Sequence, residues 1–176
     1  MPILTLDRLF DLLRAYAART GHSVDLLLIG GLAMLAYGHS SRATMDVEGE
    51  LREGVRPLKE FLGGHGIPAN LGHSVSGWSV VAMPPGYRER ATVMIDERGL
   101  RVTLLASVDY VIAKLCRGTE EDLADAAWVA ARYHLTAPQV RAAAEAALAA
   151  SLEDTALVLF EHTVNRFCAT LGATGR

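Results

Sequence analysis

VDLLLIGGLAMLAYGHSSRATMDVEGEL, residues 24–51, sets out a strand, a glycine pair, a short helix, a loop and a second strand in immediate succession. Val24–Ile29 is apolar except for Asp25, which suits a strand covered on both faces. Gly30 and Gly31 follow at its end. With no Cβ on either residue, the backbone can turn tightly there and come close to a ligand. Leu32–Tyr37 has the composition of a short helix whose N-terminal amides would offer an anion site beside the glycines. The second strand is expected to begin near Met45. In Asp46-Val47-Glu48 the carboxylates are two residues apart, so both leave one face of a strand while Val47 points into a core. Two carboxylates so placed can share a hard cation such as Mg²⁺. The stretch thus holds amides for phosphate and carboxylates for the metal that bridges it. Taken singly, a glycine pair after a strand is usually a turn and a D-x-E is usually a solvated edge; their order carries the reading.

That order resembles the nucleotidyltransferase superfamily with the polymerase β-like fold, in which an apolar strand ends in Gly-Gly or Gly-Ser and Asp-x-Asp or Asp-x-Glu follows in a second strand. The closer resemblance is to the AbiEii and MenT-like branch of bacterial toxin–antitoxin and phage-defence proteins. That branch reads GG-x-A, then Tyr-Gly, then R-x-T-x-D-[IV]-[DE]. The matching residues are Gly30, Gly31, Ala33, Tyr37, Gly38, Arg42, Thr44, Asp46, Val47 and Glu48, all in the N-terminal half. The resemblance implies an α/β (α+β) fold: a mixed sheet with flanking helices, followed by a helical C-terminal part. It also implies transfer of a nucleoside monophosphate from an NTP to an RNA end or a protein hydroxyl. By the same implication Gly30, Gly31, Arg42 and Thr44 bind the nucleotide, and Asp46 and Glu48 hold Mg²⁺ or Mn²⁺. A cognate antitoxin or toxin protein is the implied partner.

The composition is ordinary for a soluble globular protein. The chain has 176 residues, 51% hydrophobic and 21% charged, enough for a real core. A net charge of −3 excludes a broad basic surface for duplex DNA but leaves room for a small basic groove around one RNA end. Cys116 and Cys168 sit in apolar, helix-like surroundings without metal-site spacing and read as buried thiols of a reducing compartment. With no leader and no stretch of apolar residues long enough for a membrane span, a cytoplasmic location is expected. Residues 1–118 are read as the α/β core and 119–176 as a helical part packed on it.

Upstream, Thr5–Arg19 reads as an amphipathic helix capped by Thr5 and stopped by Gly21. Downstream, Val55–Leu62 reads as a helix with Pro57 in its first turn, Ile67–Leu71 as a short strand and Trp78–Met83 as another. Pro84-Pro85-Gly86 marks a turn. Tyr87, Arg88 and Arg90 beside it could stack on a base and hold phosphate, or could be a charged strand edge. Ala91–Ile95 and Leu100–Leu105 read as two strands joined by a hairpin turn. The superfamily usually carries a third carboxylate on a strand after the D-x-D pair. Here Arg101–Leu105 reads R-V-T-L-L, with Thr103 at its middle, and Asp96 looks like a turn residue. The third acid is therefore missing or displaced.

Ser107–Arg117 reads as a helix with Ser107 as its cap and Lys114 off the apolar stripe. Thr119 opens the next helix, where Asp122 and Asp125 share a face. Read alone, Asp122 caps and Asp125 is solvated. The branch, however, carries a lysine followed by R-D-x-x-D or K-D-x-x-D. By that resemblance Lys114 holds a phosphate, and Asp122 or Asp125 orients it or replaces the missing acid. The rest is alanine-rich helix, broken at Leu135–Pro138, with a last helix capped within Ser151–Asp154 and striped by Leu152, Ala156, Leu159, Phe160, Thr163 and Phe167. Two other functional classes compete with the enzyme. One is a catalytically degenerate member of the same fold that binds a nucleotide or a partner protein. The other is a structural helical partner whose D-x-E is a plain strand edge.

Overall fold

The computed structural model describes residues 3–75 and 79–173. They group into a sheet unit, residues 3–74 with Ala91–Leu105, and a helical unit, residues 75–90 with Ala106 onward. The sheet unit ends at Leu105.

In the sheet unit α1 (Leu6–Thr20) leads into β1 (Val24–Ile29), α2 (Gly30–Ala36), β2 (Val47–Leu51), α3 (Val55–Gly64), β3 (Ala69–Gly72), β4 (Thr92–Glu97) and β5 (Leu100–Leu104). The sheet order is β3-β2-β1-β5-β4. β1 pairs antiparallel with β2 and parallel with β5. β3 runs parallel to β2, and β4 closes a hairpin with β5. The expected elements are there, with their expected caps. Thr5 Oγ1 accepts from Arg8 N at 3.2 Å, and Gly21 ends α1 in the left-handed region at φ 71°.

Alternation sorts the sheet residues onto two faces. Leu26, Leu28, Val47, Leu51 and Val102 share one face and are all buried; full burial contributes about 2 kcal/mol for each such side chain. The opposite face carries Leu27 and Ile29 of β1, Glu48 and Glu50 of β2, and Thr103 of β5. Two expectations shift here. α2 starts at Gly30 itself, so the glycines are its first two residues. β2 starts at Val47, so Asp46 lies one residue outside the ladder.

The helical unit contains α4 (Ser107–Arg117), α5 (Glu120–Arg132), α6 (Ala137–Ala150) and α7 (Ala156–Ala173). Residues 79–83 are not the expected strand; Trp78 lies outside the described residues. Their amides go elsewhere: Val81 N donates to Ser79 Oγ and Ala82 N to Ser151 Oγ, so no ladder forms. Tyr87 is buried, and Arg90 forks onto Asp109 at 3.0 and 2.8 Å while donating to Pro85 O at 2.8 Å. Arg90 thus holds the 84–90 turn on α4, and Arg88 lies over the Tyr87 ring, 4.7 Å from its centroid.

The cap of α4 is Ala106, not Ser107, and makes no side-chain cap bond. Thr136 and Gln139 form a capping box on α6. Asp154 Oδ1 accepts from Ala156 N at 2.7 Å at the start of α7. Within α7 the buried stripe is Phe160, Val164, Phe167 and Cys168, whereas Leu152 and Leu159 are 87% and 70% exposed. Leu152 precedes the helix, and Leu159 sits about 100° round from Phe160. No helix among the described residues is long and apolar enough to cross a membrane.

Candidate active site

The glycine pair and the later acidic motif are packed on each other. Gly30 has φ +69°, a conformation that L side chains rarely adopt. A Cβ on Gly30 would stand 2.6 Å from Glu48 Cδ and overlap Oε2. A Cβ on Gly31 would stand 2.7 Å from Thr44 Cβ and 2.8 Å from its Oγ1. Thr44 Oγ1 in turn donates to Asp46 Oδ1 at 2.9 Å. Ile29, just before the glycines, is the register partner of Glu48. Gly30, Gly31, Thr44, Asp46 and Glu48 are therefore one contiguous group. Its frame is tied by Leu4 N donating to Thr44 O at 2.8 Å and by Tyr37 Oη donating to Leu105 O at 2.6 Å. Arg42 lies half-buried on the same connecting loop.

Asp46 and Glu48 are half-buried on either side of Val47, which is fully buried. Thr44 occupies one oxygen of Asp46 and so fixes the carboxylate's orientation. Mg²⁺ is commonly held by one or two carboxylates, with phosphate oxygens and water completing its octahedron. Two carboxylates of this kind fit that role. Among the described residues, no group of three or more His, Cys, Asp or Glu is arranged to hold a metal.

The middle of β5 holds Thr103, buried, as the sequence indicates. Asp96 ends in an ion pair with Arg101 at 3.1 Å. Sequence reasoning missed Glu50. It is 3% exposed and shares the Glu48 face, in one row with Leu27 and Thr103. Its signal was the continued alternation D-x-E-x-E.

Lys114, Asp122 and Asp125 come together in the helical unit. Gly118 ends α4 at φ 64° and Thr119 caps α5, which lays the last turn of α4 against the first turn of α5. Lys114 Nζ donates to Asp122 Oδ1 at 3.0 Å and to Asp125 Oδ2 at 2.7 Å. Arg117 donates to Asp122 Oδ1 at 2.6 Å, and Thr119 Oγ1 to Asp122 Oδ2 at 2.7 Å. Lys114, Asp122 and Asp125 are 4%, 2% and 5% exposed. Lys114 is thus buried although it falls off the apolar stripe, and Asp125 is ion-paired rather than solvated. Burial works against the Asp122 charge, but its bonds to Arg117, Thr119 and Lys114 outweigh this and hold the carboxyl below its usual range. The ammonium has three donors; two go to the carboxylates, and the Tyr110 ring centroid lies 5.6 Å away.

Both cysteines are free thiols. Burial pushes the Cys116 thiol up to about 12, which leaves it without nucleophilic character near neutral pH.

A five-stranded mixed sheet with a glycine pair at the end of its central strand, packed on a D-x-E in the neighbouring strand, defines a nucleotidyltransferase-like protein. The chain belongs to the family described as nucleotidyltransferase of unknown function (DUF6036), whose model matches residues 4–169. No curated protein and no solved structure matches it.

Proposed function

We propose that the protein transfers a nucleoside monophosphate from an NTP to an acceptor hydroxyl. The observation that carries this reading is the packing of Gly30 on Glu48 and Gly31 on Thr44, with Thr44 orienting Asp46. Gly30 and Gly31 would admit phosphate oxygens to the backbone, with Arg42 beside them. Asp46 and Glu48 would hold Mg²⁺ or Mn²⁺. The metal, when bound, neutralises the triphosphate. Thr44 keeps Asp46 in one orientation, and the apolar residues Leu27 and Ile29 floor the same face. The acceptor oxygen attacks the α-phosphorus in line, and pyrophosphate leaves.

The matched motif of the AbiEii and MenT-like branch supports a role in a toxin–antitoxin or defence pair, with an RNA end or a protein hydroxyl as acceptor and a cytoplasmic site of action. A binding-only descendant of the fold is the second reading. The observation favouring it is Thr103 at the β5 position where the superfamily usually has an acid.

Label transfer tests both. The protein is incubated with each α-labelled NTP, Mg²⁺ or Mn²⁺, total RNA and cell protein, beside Asp46→Ala. Label in a macromolecule with wild type and none with the folded variant is the expected result, and the labelled band names the acceptor. Equal labelling by folded Asp46→Ala would remove the metal assignment. No label, with Mg·NTP still raising Tm, would establish the binding-only reading.

A further inference from the structure

Between α5 and α7 the helical unit carries an open cavity of about 650 Å³ that the proposed reaction does not use. One wall includes Gly118, Ala124 and Ala127, the other Thr163, Arg166 and Phe167. We infer that this face docks a second copy of the chain, α7 against α7, across a two-fold axis. The inference is independent of the nucleotide-site reading.

Helical period shows what the face offers. Leu159, Thr163, Arg166 and Thr170 fall within about 60° of one another around α7. Leu159, 70% exposed, therefore stands on the row whose later members line the cavity. On α5, Glu120 shares a row with Ala124 and Ala127 in the same way. Glu120 and Arg166 are both exposed, and neither side chain has a hydrogen-bond or ion-pair partner among the described residues. The face thus holds a protruding leucine and a hollow walled by small side chains, an unpaired anion and an unpaired cation. An isologous contact needs both halves of each match on a single patch. A partner of different sequence would need only one half, and the other would go unexplained.

The positions also agree with a two-fold axis at Thr163. With two α7 helices antiparallel about that residue, Leu159 of each copy lies at the level of Phe167 of the other, inside the cavity. Arg166 of each copy lies three residues beyond the axis, about 4.5 Å along the helix. Gly118 packs on Thr163, since a Cβ on Gly118 would stand 3.5 Å from Thr163 Cγ2. The first turn of α5, which carries Glu120, therefore begins beside the axis, within reach of the other copy's arginine. Small side chains at Gly118, Ala124 and Ala127 let the second α7 approach closely.

Sedimentation equilibrium of the full chain, from about 1 μM to about 1 mM, tests this. Circular dichroism at the lowest concentration, where the chain is monomeric, checks the fold of each variant. Wild type is expected to rise from the mass of one chain to that of two. Leu159→Gln and Arg166→Glu should each raise the dimer Kd roughly tenfold or more. Adding Glu120→Arg to Arg166→Glu rebuilds the ion pair with its signs reversed and should return the Kd towards wild type. A wild type that stays monomeric throughout overturns the inference and leaves the cavity to some other occupant. A dimer whose Kd neither folded single variant changes also overturns it, because the contact then lies on another face. So does a double variant that dimerises no better than Arg166→Glu.

Discussion

Two groups of charged residues in this molecule use similar side chains for opposite ends. At the glycine pair, Asp46 and Glu48 are half-buried acids, and Asp46 is steadied by one hydroxyl. In the helical unit, Asp122 and Asp125 are almost fully buried and close on Lys114, with Arg117 on the outer side of Asp122. The first group leaves its two carboxylates half-buried. The second balances two carboxylates with two cations and joins the end of α4 to the start of α5. Charge that is left partly in water costs little. Charge that is buried must be matched at the atom.

The sharpest way to break this contrast is to remove one member of each group. Lys114→Ala leaves two buried carboxylates without their ammonium and should cost about 3–5 kcal/mol, read from urea unfolding. Asp46→Ala should change stability by less than about 1 kcal/mol, while abolishing label transfer. Lys114→Ala unfolding like wild type would show that the buried knot does not hold α4 to α5.

Gly30→Ala comes next. It forces a side chain onto φ +69° and into Glu48, so a loss of about 1–3 kcal/mol is expected, together with weaker NTP binding. Gly63→Ala is the control, because a Cβ there meets nothing within 4 Å.

Acid sharpens the comparison further. Asp122 has a folded pKa held below its ordinary value. Its ionised form therefore contributes stability above the unfolded pKa of about 3.9. That contribution is lost as pH falls from there through the lower folded value. Urea midpoints of wild type should drop as pH falls below about 4. Asp122→Asn should be less stable near neutrality and show a shallower drop.

The smaller effects lie at the edges of both groups. Thr44→Val removes the bond to Asp46 Oδ1 and should cost about 0.5–1.5 kcal/mol, with a larger loss in metal-dependent nucleotide affinity than in stability. Leu159→Gln, at a 70% exposed position outside both groups, should stay within about 0.5 kcal/mol of wild type.

Much of this was legible in one dimension. β1 was readable from its apolar run, the β4–β5 hairpin from Asp96–Gly99, and the starts of α1 and α5 from Thr5 and Thr119. These depend on neighbours in sequence: side-chain period, backbone φ and cap hydroxyls. The misread segment 79–83 had a strand's composition, but its amides bond to hydroxyls, including one on distant Ser151. Lys114 fell off the apolar stripe yet is buried, and Leu159 was read into a stripe yet is 70% exposed.

The sequence by itself therefore determined the order of elements, the turn at the glycine pair and the chemistry available at Asp46 and Glu48, because each follows from local geometry and residue type. Tertiary structure alone decided where the charges end up. Glu48 reaches Gly30 because antiparallel register sets it beside Ile29. Glu50 is buried because of the face its strand presents. Lys114 is sealed between two aspartates because the turn at Gly118 and Thr119 folds α5 back onto α4. Pairing through space has no period in the chain, so nothing short of the folded coordinates could reveal it.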